Sequence, residues 1–263
     1  MSDPQAVGID PGVPSVARVV DYALGGFHNF AADRAALDEV MAEFPGYTWG
    51  VVQSRKIMGR HVRYLVEQGV DQFLDLGSGI PTQGHAHEIA QRLNPAARVV
   101  YVDHDRTAII HAREILTNNP LARVAQHDLT NVDAVLSDPV VTGLLDLDRP
   151  VGLLMYLVLH FFPDPQAGQI VQQYMARLAP GSHIGLVHAS PHPDLEAGFE
   201  AFSTRVQTLY LRGQKQVEAL LEGLEIARPG VVYGTHWRPD PGQPVEDYAP
   251  GRSHGQAACA RKP

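Results

Sequence analysis

Phe73-Leu74-Asp75-Leu76-Gly77-Ser78-Gly79-Ile80-Pro81 decides how the chain is read. A short apolar run stops at an acid and then two glycines, which predicts a buried strand entering a ligand-binding turn. Gly77 and Gly79 can take positive φ and, lacking side chains, let a ligand approach the main chain closely. An α/β nucleotide site holds its ligand at the carboxyl end of the first strand, against the start of the next helix, so a cofactor is expected at this turn.

After this turn, short apolar runs alternate with amphipathic stretches, the pattern of βαβ units and a parallel sheet. Strands are predicted at 72–76, 98–102, 122–125, 151–159 and 183–188, with helices near 83–93, 106–116 and 165–178 and a weaker one at 132–145, broken by Pro139. Helices near 195–210 and 214–222 and two strand-like runs, 225–227 and 231–237, follow. Three helices are predicted before the first strand. Ser15 can cap the first and Gly25-Gly26 end it, Asn29 can cap a second from Phe30 to about Phe44, and the third fits about Val51 to Gln68. The reading is a three-layer α/β domain with a mainly parallel, seven-stranded sheet. It divides into a mobile terminus (1–13), a helical lid (14–69), a core (70–240) and a flexible tail (241–263).

The 263 residues suffice for one substantial core. A net charge of −8, with basic residues scattered among acids, argues against nucleic acid as a partner. The amino terminus lacks a signal-peptide pattern and the longest apolar run is too short to span a bilayer, so no membrane partner is expected. A single cysteine, Cys259, suits a cytoplasmic location. The 13 histidines form no metal motif, since His85-x-His87 lacks a third ligand in sequence, and no metal is expected. A homodimer stays open.

Gly-x-Gly after a strand is weak evidence by itself. Thr82 stands where a dinucleotide fingerprint has its third glycine, and an acid two residues before the first glycine, Asp75, is more characteristic of S-adenosylmethionine (SAM) sites than of NAD sites. The second predicted strand ends at Asp103, followed by His104. A carboxylate there can accept hydrogen bonds from both ribose hydroxyls of an adenosine lying across the sheet. Its alternative role is to cap the next helix, for which Asp105 is better placed. Asp128 follows the third strand, where an acid can meet the adenine amino group with the main chain of Leu129 beside the ring; the alternative is an Asx turn.

With three acids at three successive strand ends, the chain resembles the class I SAM-dependent methyltransferases, and more closely a bacterial family of them whose acceptors are largely unassigned. Pro14 to Gly26, Asn29 to Arg34, Phe73 to Thr82, Tyr101-Val102-Asp103, Val158 to Phe161 and Trp237-Arg238-Pro239 carry the likeness. It departs from that family at Ser54-Arg55, where Asn-Arg is usual, and in a tail, Pro250 to Gln256, that reads as longer. The resemblance implies a Rossmann-like fold, SAM as cofactor, and the first two helices as a lid over it. Arg18 or Arg34 could then pair with the SAM carboxylate and Tyr22 lie near the sulfonium, the alternatives being pairing of Arg18 with Asp21 or Asp33 and a core tyrosine. The cofactor set is therefore Arg18, Tyr22, Asp75, Gly77, Ser78, Gly79, Asp103, His104, Asp128 and Leu129.

His160 ends the fourth predicted strand, on the side where an acceptor would meet the methyl group, and is the candidate general base; otherwise it is a hydrogen-bonded core residue. No Asn/Asp-Pro-Pro-aromatic turn follows that strand, which disfavours nucleic-acid bases as acceptors. The expected activity is methyl transfer to oxygen or nitrogen of a small metabolite. The rivals are SAM binding without transfer and an NAD-dependent oxidoreductase.

Overall fold

The computed structural model describes residues 9–81, 84–242 and 255–263. Expectations resting on residues 1–8, on Thr82 and Gln83, and on 243–254 lie outside them. The helices are α1 (Val16–Ala23), α2 (Ala31–Glu43), α3 (Tyr47–Glu67), α4 (Ala86–Leu93), α5 (Arg106–Ile115), α6 (Val132–Ser137), α7 (Pro139–Thr142), α8 (Gln166–Arg177), α9 (Glu196–Arg205) and α10 (Gln214–Leu220). The strands are β1 (Gln72–Leu76), β2 (Arg98–Asp103), β3 (Ala122–Gln126), β4 (Gly152–Tyr156), β5 (His183–Ala189), β6 (Glu225–Ile226), β7 (Val232–Tyr233) and β8 (Gly255–Arg261).

They form one sheet in the order β3-β2-β1-β4-β5-β8-β6, with β7 also pairing β8. The first five strands run parallel, and β8 runs antiparallel to β5, β6 and β7. Alternate residues of the central strands serve opposite faces. Leu74, Leu76, Val100, Val102, Leu153 and Met155 join one core, under α6, α7, α8 and α10. Phe73, Val99, Tyr101 and Leu154 join another, under α3, α4 and α5. Burial on both faces explains why these strands read as unbroken apolar runs.

Three expectations are corrected. The sheet has eight strands, not seven, because part of the supposed tail is β8, whose residues Gln256 to Ala260 are buried. Its small side chains carry little strand propensity; packing of Ala257 and Cys259 against Ile57, Val187 and Trp237 overrides that. The run 151–159 is not strand throughout: β4 stops at Tyr156, Leu157 takes φ 51°, and a 3-10 turn spans Leu159–Phe161. In the predicted lid, α3 belongs instead to the sandwich, burying Met58, Val62 and Leu65 against the sheet. What covers the cavity end is α1, α2 and α9, joined through Val19, Leu37, Val40 and Phe202.

The helix caps also differ. Asn29 does not cap α2; its amide donates to Asp21 Oδ2 and to the Gly26 carbonyl, while Asp33 accepts from the Phe30 amide. Ser15 precedes α1 without capping it, its hydroxyl donating across to Asp105 Oδ2. Among the described residues no helix is long and apolar enough to cross a membrane.

Candidate functional site

Beyond Leu76 the chain turns through Gly77 (φ 66°) and Gly79 (φ 65°). The amides of Gly77 and Ser78 both donate to the Val102 carbonyl, at 2.8 and 3.2 Å, which ties the turn to the end of β2. A Cβ on Gly77 would lie 2.4 Å from Val158 Cγ2. Gly77→Ala therefore combines a left-handed backbone with a steric clash and is expected to cost about 2–4 kcal/mol of stability, read from urea unfolding.

Asp103 is buried at the tip of β2. Its Oδ2 accepts from the Gly79 amide and its Oδ1 from the Asp105 amide, both at 2.8 Å, so the carboxylate is fixed while each oxygen keeps a further lone pair. Burial raises its pKa, and the two backbone hydrogen bonds oppose that. Asp105 caps α5 through the amides of Thr107 and Ala108. The Ser15 contact thus links the lid to the same corner.

Asp75 is 1 % exposed and its Oδ2 has no hydrogen-bond partner among the described residues. Burial pushes its pKa up to about 7, with Asp103 adding to the rise and Arg55 opposing it. A folded pKa above the unfolded value means that the native state holds the proton more tightly. The associated stability is complete below about pH 4 and declines as pH rises to about 7. Asp75→Asn should remove that decline, so urea midpoints compared between pH 4 and 8 should show the variant gaining on the parent protein as pH rises.

These groups open into a cleft of about 1570 Å³, including space open to solvent. Its wall takes in Asp75, Gly77, Ser78, Gly79, Asp103, His104, Asp128 and Leu129, eight of the ten positions expected to hold the cofactor. Asp128 makes an Asx turn as well, accepting from the amide and hydroxyl of Thr130 through Oδ1. His104 is a largely exposed rim residue.

Arg18 and Tyr22 are not on that wall. Arg18 is buried in an ion pair with Asp33, Nε to Oδ2 at 2.8 Å, and Tyr22 packs in the hydrophobic centre of the lid. Arg34, the other expected guanidinium, is exposed and hydrogen-bonded to Asn29. The guanidinium on the wall is that of Arg55 on α3, which makes no hydrogen bond among the described residues. Burial lowers its pKa, while Asp75 and Tyr101 act to raise it. The signal available in sequence was the Ser54-Arg55 pair itself, but only the fold brings it to the turn.

His160 is buried in the 3-10 turn after β4 and lines a second, apolar pocket of about 830 Å³. The Ala189 amide donates to its Nδ1 at 3.4 Å. Burial, then the neighbouring His188 and Arg212, depress its pKa well below the usual value. A neutral ring that accepts at Nδ1 carries its proton at Nε2, so in this tautomer His160 presents a donor at its other nitrogen. His188 donates to the Ala189 carbonyl through Nδ1 and accepts from Arg212 at Nε2, serving structure. His87 pairs with the Tyr101 hydroxyl at 2.7 Å. Among the described residues no group of three or more His, Cys, Asp or Glu side chains could hold a metal.

The polar groups fit an adenosine-bearing cation with an amino-acid end: a fixed carboxylate at the second strand tip, a buried carboxylate with one unpaired oxygen under the glycine turn, and a guanidinium near the latter. The comparisons agree. Residues 2–263 match the sequence model of a family described as S-adenosyl methyltransferase, so the C-terminal segment lies within the matched span. The crystal structure of a candidate methyltransferase from Thermobifida fusca YX superposes with a TM-score of 0.92 at 34 % identity, over 100 % of this chain and 99 % of that one. That of a DUF574 family protein from Streptomyces avermitilis MA-4680 gives 0.91 at 31 %, over 97 % and 99 %. No curated protein matches the chain. The oxidoreductase reading is overturned, and SAM is the cofactor that the family implies. The chain belongs to the S-adenosyl methyltransferase family, the SAM-dependent enzymes to which its glycine turn and strand-end acids had pointed.

Proposed function

We propose that the protein transfers a methyl group to an oxygen or nitrogen of a small molecule seated in the apolar pocket. The observation that carries this is the seam between the two cavities: Val16, Val20, Val51, Ser54, Leu157 and Phe161 line both. When bound, SAM supplies an electrophilic methyl carbon on a sulfonium. Asp103 is positioned to accept from the ribose hydroxyls, Asp128 and the Leu129 main chain to meet the adenine, Arg55 to pair with the carboxylate and Asp75 to face the ammonium. Displacement at an activated carbon needs mainly alignment, so the protein's task is to hold two ligands in line and keep water out. His160 would hold its proton at Nε2 and donate it in a hydrogen bond that orients the acceptor, and the proton displaced from the acceptor oxygen or nitrogen passes to solvent as the product leaves.

Arg55→Met should weaken S-adenosylhomocysteine binding by roughly 10- to 100-fold, since hydrogen bonds to charged groups contribute about 1.5–3 kcal/mol. Arg18→Met should instead lower the melting temperature and leave that affinity nearly unchanged; calorimetric titration and a thermal melt on both variants separate the roles. The activity is tested by incubating the protein with SAM and a panel of small hydroxyl and amine acceptors and following S-adenosylhomocysteine. Formation that depends on one acceptor supports the reading. Firm cofactor binding with no acceptor-dependent turnover across the panel would overturn it in favour of a SAM-binding protein without transfer.

A further inference from the structure

The apolar pocket is bounded by α1, α3, α9 and the turn after β4, and its contents can be specified from its wall. Its empty space of about 830 Å³ includes space open to solvent, so the wall, not the volume, specifies the occupant. Among the described residues no Asp, Glu, Lys or Arg side chain is on the wall. A charged acceptor entering there would lose its hydration with no counter-charge to replace it.

Six aromatic rings line the space: Phe44, Tyr47, Trp49, Phe161, Phe199 and Phe202. Three of them form a row of nearly parallel faces. Tyr47 and Phe202 lie 5.7 Å apart at 25°, and Phe202 and Phe161 lie 6.5 Å apart at 23°. Phe44 meets Tyr47 edge-on at 6.1 Å and 90°, which fixes the Tyr47 plane from the side. Such a row favours a flat ring lying along it over a puckered or branched aliphatic body, because offset stacking needs parallel faces.

The polar groups are few. Gln53 is 8 % exposed, lines the pocket and makes no hydrogen bond among the described residues, so it offers both an unused donor and an unused acceptor. His160 offers a donor. A ligand edge can take the place of water at this amide.

We propose that the methyl acceptor is an uncharged, planar aromatic molecule whose ring lies on the Tyr47–Phe202–Phe161 row and whose hydroxyl or amino edge is met by Gln53 and His160. This rests on the methyl-transfer reading above. Phe161 belongs to both cavities, so the ring is held where the acceptor atom faces the cofactor cleft.

The test is calorimetric binding of three probes to the full chain saturated with S-adenosylhomocysteine: 2-naphthol, 2-naphthoate and the saturated decahydro-2-naphthol. Expected is saturable binding of 2-naphthol, roughly tenfold tighter than 2-naphthoate, which would bury an unpaired charge. It should also bind roughly fivefold tighter than the saturated alcohol, which cannot stack. Phe202→Leu should erase the preference for the flat ring, and Gln53→Leu should weaken 2-naphthol, each with S-adenosylhomocysteine affinity retained as the sign of an intact fold. Equal affinity for the three probes, or no saturable binding of 2-naphthol by protein that still binds S-adenosylhomocysteine, overturns the acceptor class. Because this binding test reads no turnover, the two failures separate: probes that bind here but are never methylated in the SAM-supplied acceptor panel count against methyl transfer, whereas turnover of a charged or aliphatic acceptor in that panel counts against the class.

Discussion

Asp103→Ala is expected to weaken S-adenosylhomocysteine binding by about two orders of magnitude, with the protein still folded. The side chain is held from behind by the amides of Gly79 and Asp105, and those two bonds set where its remaining lone pairs point. Loss of charge-assisted hydrogen bonds to two ribose hydroxyls amounts to about 3 kcal/mol or more, which corresponds to on the order of a hundredfold in affinity. Asp103→Asn retains one acceptor oxygen and should fall between the variant and the parent. Calorimetric titration gives the affinities and a circular dichroism melt verifies the fold. An unchanged dissociation constant for Asp103→Ala would remove this residue from the site.

The largest effect on stability is expected from Arg212→Met. This arginine is 1 % exposed and distributes its donors over several acceptors. Nε and Nη2 reach Asp164 Oδ1 at 3.0 and 2.8 Å, Nη2 the Phe162 carbonyl at 2.8 Å, and Nη1 the Leu159 carbonyl at 3.2 Å and His188 Nε2 at 2.9 Å. Methionine fills much of the volume but leaves the Phe162 carbonyl and the imidazole without this donor, and the Leu159 carbonyl with only the Phe162 amide. Breaking a buried charged network of this kind costs about 3–5 kcal/mol. Urea unfolding should show the midpoint shift. Since the bonded carbonyls flank the turn that carries His160, activity on a true acceptor should fall further than cofactor affinity does. A variant as stable as the parent would show that the network contributes no net stability.

The central strands were legible because burial on both faces forces apolar runs: 72–76 was read to the residue, and 98–102 and 183–188 each lacked one. The cofactor turn was legible because positive φ and close approach demand glycine at Gly77 and Gly79, a constraint written into residue type. What escaped the reading depends on distance in the fold. The strand Gly255–Arg261 consists of small residues whose preference is decided by β5 on one side and by β6 and β7 on the other. Arg18 and Arg34 are the carboxylate partners expected from sequence, and only the fold shows that Arg18 is committed to Asp33, Arg34 to Asn29, and that Arg55 reaches the cleft. The role of His160 turned on which ring nitrogen the Ala189 amide occupies, a contact across 29 residues.

The insertion of β8 between β5 and β6 has a consequence for how the molecule is made and kept intact. Seven residue pairs join β8 to β5, separated by an excursion of the chain from Ala189 to Gly255. Pairing over such a separation is slow to form. Until it forms, β5 has a bare, apolar edge of free amides and carbonyls, a template for another chain's strand. A cut or a competing partner that detached residues 255–261 would leave the cofactor-binding half of the sheet standing while exposing that adhesive edge, so aggregation would precede loss of SAM binding.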